Sequence, residues 1–220
     1  MRKIVIIAAA GIGSRLGAGM PKCLVQVNGH AVFEYQLKAL SWADEIRMVV
    51  GYKADEVIDR VSAIDPNVIF VRNEQFATTN LRQSYCLGAQ GISEKAIFLD
   101  GDTIISKTAS NLLLSASRGG ADFIAVTPIQ TASPIYAGVE KGMVQWFSYD
   151  RSSPYELSNA AFLSPMKLEY ENTLFYLQLE KYLPTKALAI DCLEVDTPED
   201  LHHVEQTAVA QRIEYDFWRE

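Results

Sequence analysis

Strand-like apolar runs and helix-like periods alternate along this chain, an order that fits a largely parallel sheet with helices packed on its faces. The first run, KIVIIAA at residues 3–9, is apolar at almost every position, as a parallel strand covered on both sides must be. Residues 31–43 (AVFEYQLKALSWA) then place Val32, Phe33, Leu37 and Leu40 on one helical face. The alternation continues with a strand at 45–52 (EIRMVVGY), a helix at 54–64 (ADEVIDRVSAI) and a strand at 67–73 (NVIFVRN). A helix from residue 80 (NLRQSYCLGAQ) takes Thr79 or Asn80 as its cap, because either side chain can accept from the unpaired N–H groups of the first turn. The strand at 95–102 (KAIFLDGD) ends in acids, the helix at 106–120 (SKTASNLLLSASRGG) is closed by glycines, and 121–128 (ADFIAVTP) is another strand.

After residue 128 the pattern changes. Residues 136–164 (YAGVEKGMVQWFSYDRSSPYELSNAAFLS) alternate with Gly and Pro breaks and read as hairpin-like strands in place of a further βαβ unit. Residues 166–183 read as a helix, 186–195 as one strand, and 197–220 as a last helix opened by Thr197-Pro198. No repeat, low-complexity tract or linker interrupts the chain. With 220 residues, 49% of them hydrophobic, there is apolar material for one core. The expectation is one domain over residues 1–220: an α/β fold, three-layer α/β/α and Rossmann-like, around a mixed, mostly parallel sheet.

The formal net charge of −7 argues against a general role on nucleic acid or an anionic membrane, since both would be repelled. A bound polyanion must therefore be met locally. Cys23, Cys86 and Cys192 are odd in number and widely spaced, which predicts reduced thiols and a cytoplasmic protein. Met1-Arg2-Lys3 and the apolar residues 4–10 imitate the start of a secretion signal, but a buried strand before a glycine-rich turn has the same composition and is the preferred reading. No other apolar run approaches membrane-spanning length.

Residues 8–24, AAAGIGSRLGAGMPKCL, hold four glycines, Arg15 and Lys22 directly behind the first strand. Such a turn can aim backbone N–H groups outward and receive phosphate oxygens, and the two cations add charge to the same segment. The dinucleotide fingerprint fails, because Leu16 stands where a third glycine belongs, and the Walker pattern fails, because Lys22 follows proline and precedes no Ser or Thr. Two acidic sites give the loop its meaning. Asp100 and Asp102 lie at the carboxyl end of one strand and Asp196 at the end of another, where open α/β sheets form their ligand crevice. Carboxylates from two strand ends suit Mg²⁺, which takes one or two of them and completes its shell with water and phosphate.

AAAGIGSRLGAGMPKCL, VNGHAVFEYQLKAL, NLRQSYCLG, LDGDTII and EVDTPEDLHHVE, in this order, resemble the nucleotidyltransferases that join a nucleoside triphosphate to a phosphorylated small molecule. The resemblance runs from residue 1 to about residue 207. It is strongest to bacterial cytidylyltransferases of the phosphocholine and methylerythritol-phosphate types, with a glycosyltransferase-A-like fold of the nucleotide-diphospho-sugar transferase type. It implies Arg15 and Lys22 on the triphosphate as the catalytic cations, and Asp102 and Asp196 on Mg²⁺. It also implies a nucleotide site formed by Ala8, Ala9, Ala10, Gly11, Gly13, Asn80, Ser84 and Asp100. The His-Asp-Ala-Ala-Arg-Pro segment of the methylerythritol-phosphate enzyme is missing, since this chain reads Asp100-Gly-Asp102-Thr-Ile, so that activity is not expected.

The reaction so implied consumes CTP and a phosphorylated or phosphonate acceptor and needs no general base, because the attacking oxygen is already anionic. This agrees with the lack of an obvious catalytic His or Cys. His30 sits in a turn, and the adjacent His202 and His203 cannot share one helix face, so all three read as structural. Trp146, Tyr149 and Tyr155 are candidates for the acceptor side, where aromatic faces could hold a quaternary ammonium, or they form a hydrophobic cluster under the hairpins. Arg151 and Lys141 are candidates for the acceptor's phosphate and Asn159 for a hydrogen bond to it; the acceptor's identity stays open. The alternatives are a sugar-1-phosphate nucleotidyltransferase, a glycosyltransferase using Asp100-Gly-Asp102, and a non-catalytic nucleotide sensor. Tyr215, Phe217 and Trp218 make the chain end apolar and leave a homodimer contact open.

Overall fold

In the computed structural model, residues 2–17 and 19–206 are described. The chain runs β1 (Ile4–Ala9), β2 (Gln26–Val27), β3 (His30–Ala31), α1 (Val32–Ala39), β4 (Glu45–Val50), α2 (Ala54–Ser62), β5 (Ile69–Arg72) and α3 (Leu81–Gly88). It continues with β6 (Ala96–Asp100), β7 (Thr103–Ile105), α4 (Lys107–Arg118), β8 (Phe123–Pro128), β9 (Tyr136–Glu140), β10 (Met143–Ser148) and β11 (Tyr155–Leu163). The last described elements are α5 (Phe175–Glu180), β12 (Thr185–Ala189), β13 (Cys192–Glu194) and α6 (Pro198–Gln206).

Nine strands form the main sheet in the order β5-β4-β1-β6-β11-β8-β12-β10-β9. Alternate residues of β1 serve its two faces. Val5, Ile7 and Ala9 pack with Phe33 and Leu37 of α1, Val57 and Val61 of α2, and Ala109 and Leu113 of α4. Ile4 and Ile6 pack with Tyr85 of α3 and with Phe175 and Leu179 of α5. These are the three layers expected, and they follow from strands apolar on both sides. The parallel order holds for β5, β4, β1 and β6. Beyond them β11 runs antiparallel to both β6 and β8, and β10 antiparallel to β9 and β12, so the sheet as a whole is mixed in near-equal parts. The antiparallel share comes from the hairpin-like region, whose three strands enter the sheet without crossover helices.

Two expected elements are corrected. The helix expected over 166–183 is a helix only at α5, with a short 3₁₀ turn at Pro165–Lys167. The residues between are held by long-range contacts, because the Arg82 guanidinium, 1% exposed, reaches Glu169, Glu171 and Thr173. The strand expected over 186–195 is two: β12 lies parallel to β8 in the main sheet, whereas β13 pairs antiparallel with β7 in a separate ribbon. The final helix begins as expected, with Thr197 Oγ1 accepting from Asp200 N at 3.1 Å and the Asp200 carboxylate accepting from Thr197 N at 2.8 Å. Its expected extension to 220, with Tyr215, Phe217 and Trp218, lies outside the described residues.

Candidate active site

At the carboxyl ends of β1 and β6 a cavity of about 800 Å³ opens, and one wall of it is the glycine-rich loop. Ala8, Ala9, Ala10, Gly11, Gly13, Arg15, Lys22, Asn80, Ser84, Asp100, Asp102 and Asp196 all line it, although they come from residues up to 188 positions apart. The loop can fold back because Gly13 takes φ +67°, and its bare Cα leaves room for the Lys22 stem: a Cβ there would stand 3.0 Å from Lys22 Cγ. Lys22 itself opens a 3₁₀ turn, Lys22–Leu24, directly after Pro21.

The Lys22 ammonium lies 2.6 Å from Asp102 Oδ2 and also contacts Asp196 Oδ1, and the Arg15 guanidinium pairs with Asp196 Oδ2. Burial alone would lower the Lys22 pKa, but the two carboxylates outweigh it and hold the ammonium protonated, above the usual lysine range. Glu194, which sequence reasoning missed, completes an acidic triad: one oxygen each from Asp102, Glu194 and Asp196 lie within 4.8 Å of one another. Burial and the charges of Asp102, Asp100 and Asp196 push the Glu194 carboxyl up to about 9. Its signal was the spacing Glu194-x-Asp196, which puts two acids on the same side of an extended segment.

Three oxygen donors of this kind fit a hard divalent cation such as Mg²⁺. A second observation agrees: Asp102 Oδ1 is buried without a hydrogen-bond partner, while the site already gathers cationic charge from Lys22. Asp100 is different in character. It accepts from the Tyr85 hydroxyl, and burial together with the Asp102 charge raises its carboxyl well above the usual range. It braces the wall of the cavity and stands apart from the triad.

Asn80 caps α3 as expected, accepting from Gln83 N at 3.1 Å, and its amide also donates to Thr173 O at 2.8 Å. Ser84 Oγ receives a hydrogen bond from Asn73 Nδ2 at 3.2 Å. On the opposite wall Tyr149 faces the cavity with Tyr176, ring centroids 5.7 Å apart and near perpendicular. Trp146 is placed elsewhere: the Arg151 guanidinium stacks on its ring at 4.0 Å, and neither lines the cavity. Lys141 occupies the β9–β10 turn at φ +50° and Tyr155, half-buried, packs against the core, and neither lines the cavity. The side chain of Asn159 lies outside the described part of the structure. His30 contacts Glu34 at 3.3 Å, and His202 and His203 are on the exposed side of α6, so none joins the acids. Cys23 and Cys192 are buried, which pushes their thiols up to about 12 and leaves them unsuited to nucleophilic work.

A glycine-rich loop with two cations faces a carboxylate triad across the strand ends of an α/β sheet. The chain belongs to the family of the MobA-like NTP transferase domain, whose pattern matches residues 5–151. It is 31% identical over 134 residues to the bifunctional protein GlmU of Dinoroseobacter shibae, a match covering 59% of this chain and 30% of that protein. It is 32% identical over 106 residues to the CTP:phosphoglutamine cytidylyltransferase of Campylobacter jejuni, covering 46% and 41%. The chain thus matches well under half of the length of these relatives. Among solved structures, the CTP:phosphocholine cytidylyltransferase of Streptococcus pneumoniae superimposes with a TM-score of 0.78 at 21% identity, covering 94% of this chain and 99% of that one. A UDP-glucose pyrophosphorylase superimposes with a TM-score of 0.75 at 15% identity, covering 96% and 100%. These likenesses show the nucleotidyltransferase fold. No helix among the described residues is long and apolar enough to cross a membrane.

Proposed function

We propose that residues 1–220 act as one cytoplasmic domain that transfers a cytidylyl group from CTP to a small phosphorylated or phosphonate acceptor, releasing pyrophosphate. The observation that carries this reading is the meeting of Lys22 and Arg15 with Asp102, Glu194 and Asp196 at the mouth of the glycine-rich loop. The acceptor's anionic oxygen attacks the α-phosphorus in line, the bond to the bridging oxygen breaks, and pyrophosphate carries away the electron pair. Lys22 neutralises charge on the α-phosphoryl oxygens, and Arg15 does so on the β and γ phosphates. Asp102 and Asp196, with Glu194 beside them, would hold Mg²⁺, which when bound offsets the negative charge of the phosphates. Backbone N–H groups of residues 11–15 orient the triphosphate, and the α3 start with Asn80 and Ser84 flanks the base. Positioning and charge suffice, because no proton has to be removed from the nucleophile.

Support for CTP over other triphosphates comes from the cytidylyltransferases among the similar proteins. The alternative is a sugar-1-phosphate nucleotidyltransferase, favoured by the nearly as close superposition on a UDP-glucose pyrophosphorylase. The deciding experiment is pyrophosphate release with Mg²⁺, pairing CTP, UTP, GTP, ATP and dTTP with phosphocholine, phosphoethanolamine, aminoethylphosphonate, polyol phosphates and sugar 1-phosphates. Release with CTP and a non-sugar acceptor is the expected result. Release only with a sugar 1-phosphate establishes the alternative, and binding of CTP without release from any pair leaves either an acceptor outside this panel or a sensor.

A further inference from the structure

Helix α1 carries one polar side chain where its packing calls for an apolar one. Gln36 lies four residues from both Val32 and Leu40, on the buried side of the helix between the main sheet and the β7–β13 ribbon, and is 0% exposed. Its amide nitrogen donates to Asp100 O at 2.7 Å and to Thr103 O at 2.8 Å. These carbonyls bracket the two-residue turn that presents Asp102. Because both N–H groups are spent there, the amide can point only one way, and Oε1 is left buried without a partner. An apolar side chain would fill the same space without that orphan, so the glutamine is explained by what its nitrogen holds.

What it holds is the common base of all three acids. The turn carries Asp102 directly. Thr103 is the register partner of Glu194 in the β7–β13 ribbon, and Asp102 O accepts from Val195 N at 3.0 Å, one residue before Asp196. We infer that Gln36 is a positioning residue that sets Asp102, and through the ribbon Glu194 and Asp196, at the separation needed to hold the divalent cation. The inference rests on reading the triad as a cation site. Gln36 does not line the cavity; it acts through the turn.

The test is Gln36→Met in the 220-residue chain, with Mn²⁺ alone as the probe, titrated by electron paramagnetic resonance in the absence of nucleotide. Loss of an outer hydrogen bond of this kind weakens metal binding by about 10–100-fold, and that is the expected change. Amide exchange at residues 101–103 should quicken, and the Mg²⁺ activation constant should rise while the KM for CTP stays within about twofold of wild type. Val61→Ala, a buried position in α2 that does not line the cavity, is the control for lost stability and should leave Mn²⁺ affinity alone. Should Gln36→Met fail to fold, Gln36→Asn, which keeps the amide but is one methylene too short to bridge both carbonyls, should show the same loss. Wild-type Mn²⁺ affinity in a folded Gln36 variant, or an equal loss in Val61→Ala, overturns the inference. A wild-type chain that does not bind Mn²⁺ overturns the cation-site reading and the inference with it.

Discussion

Lys22 stands where the loop and the acids meet, with its stem on Gly13 and its ammonium between Asp102 and Asp196. An oriented charge of this type contributes about 3–4 kcal/mol to the transition state. Lys22→Ala is therefore expected to slow single-turnover pyrophosphate release at least a hundredfold; near wild-type turnover would remove Lys22 from the mechanism. Glu194 gives a second residue-level prediction. Its folded-state pKa, about 9, is above that of an ordinary carboxylate, so the folded chain binds an extra proton between the two values. The stability this proton supplies is complete below the ordinary carboxylate range and is lost as pH rises toward 9. The cation-free protein should melt at lower temperature at pH 9 than at pH 6, and Glu194→Gln should flatten that slope in scanning calorimetry. The individual cations and two of the three acids were legible as residue types in a suggestive order. Glu194 carried only its spacing to Asp196 as a signal, and that spacing gains its meaning when Asp102 is brought beside it.

At the scale of elements, turns do more than helices to build the site. The β6–β7 turn crosses β1 so closely that a Cβ on Gly101 would stand 2.7 Å from Ala8 O and 2.8 Å from Ala9 Cβ. Gly101→Ala must push the turn, and Asp102 with it, off the strand end; a cost of about 1–3 kcal/mol is expected for such overpacking. Thermal melting should report the destabilisation and pyrophosphate release the loss of activity, and a variant that melts and turns over like wild type would show that the turn has slack. Periodicity identified the longer N-terminal elements well, namely β1, α1, β4, α2, β5, α3, β6, α4 and β8, whereas the two- and three-residue strands β2, β3 and β7 are too short to show a pattern of their own. It failed at 166–183 and 186–195, where the local pattern was real but other contacts won. Arg82 holds residues 169–173 out of a helix, and the chain leaves the main sheet after Ala189 so that β13 can pair with β7.

For the molecule as a whole, the order of the sheet divides the labour. The parallel half, β5-β4-β1-β6, brings the loop with Asp100 and Asp102, the β7–β13 ribbon brings Glu194 and Asp196, and β9, β10 and β11 bring the opposite wall with Tyr149. Changes in the second half should therefore alter one substrate and spare the other. Tyr149→Ala is expected to raise the acceptor KM by about tenfold, equivalent to about 1.4 kcal/mol, with the KM for CTP within about twofold; steady-state kinetics in both substrates measures this. Equal shifts in both would mean that the wall does not separate the two sites. The net charge of −7 is also a whole-molecule property, and it makes Arg15 and Lys22 the cations that line the cavity against seven acids: Asp100, Asp102, Glu156, Glu194, Asp196, Glu199 and Asp200.

The amino-acid sequence was enough to determine the α/β alternation, the layers, the glycine-rich loop with its two cations, and Asp102 and Asp196 as partners of that loop. Each rests on local periodicity or on residue types at strand ends, which physical chemistry ties to conformation over a few residues. Only the tertiary structure decided that β11 enters between β6 and β8, that Glu194 joins the acids, that Gln36 braces them, and that Tyr149 with Tyr176 faces the cavity in place of Trp146. These depend on strand order and register, where a one-residue slip turns a side chain to the other face. The pairings that set them join residues far apart in the chain, such as Thr103 and Glu194, and no local pattern encodes them.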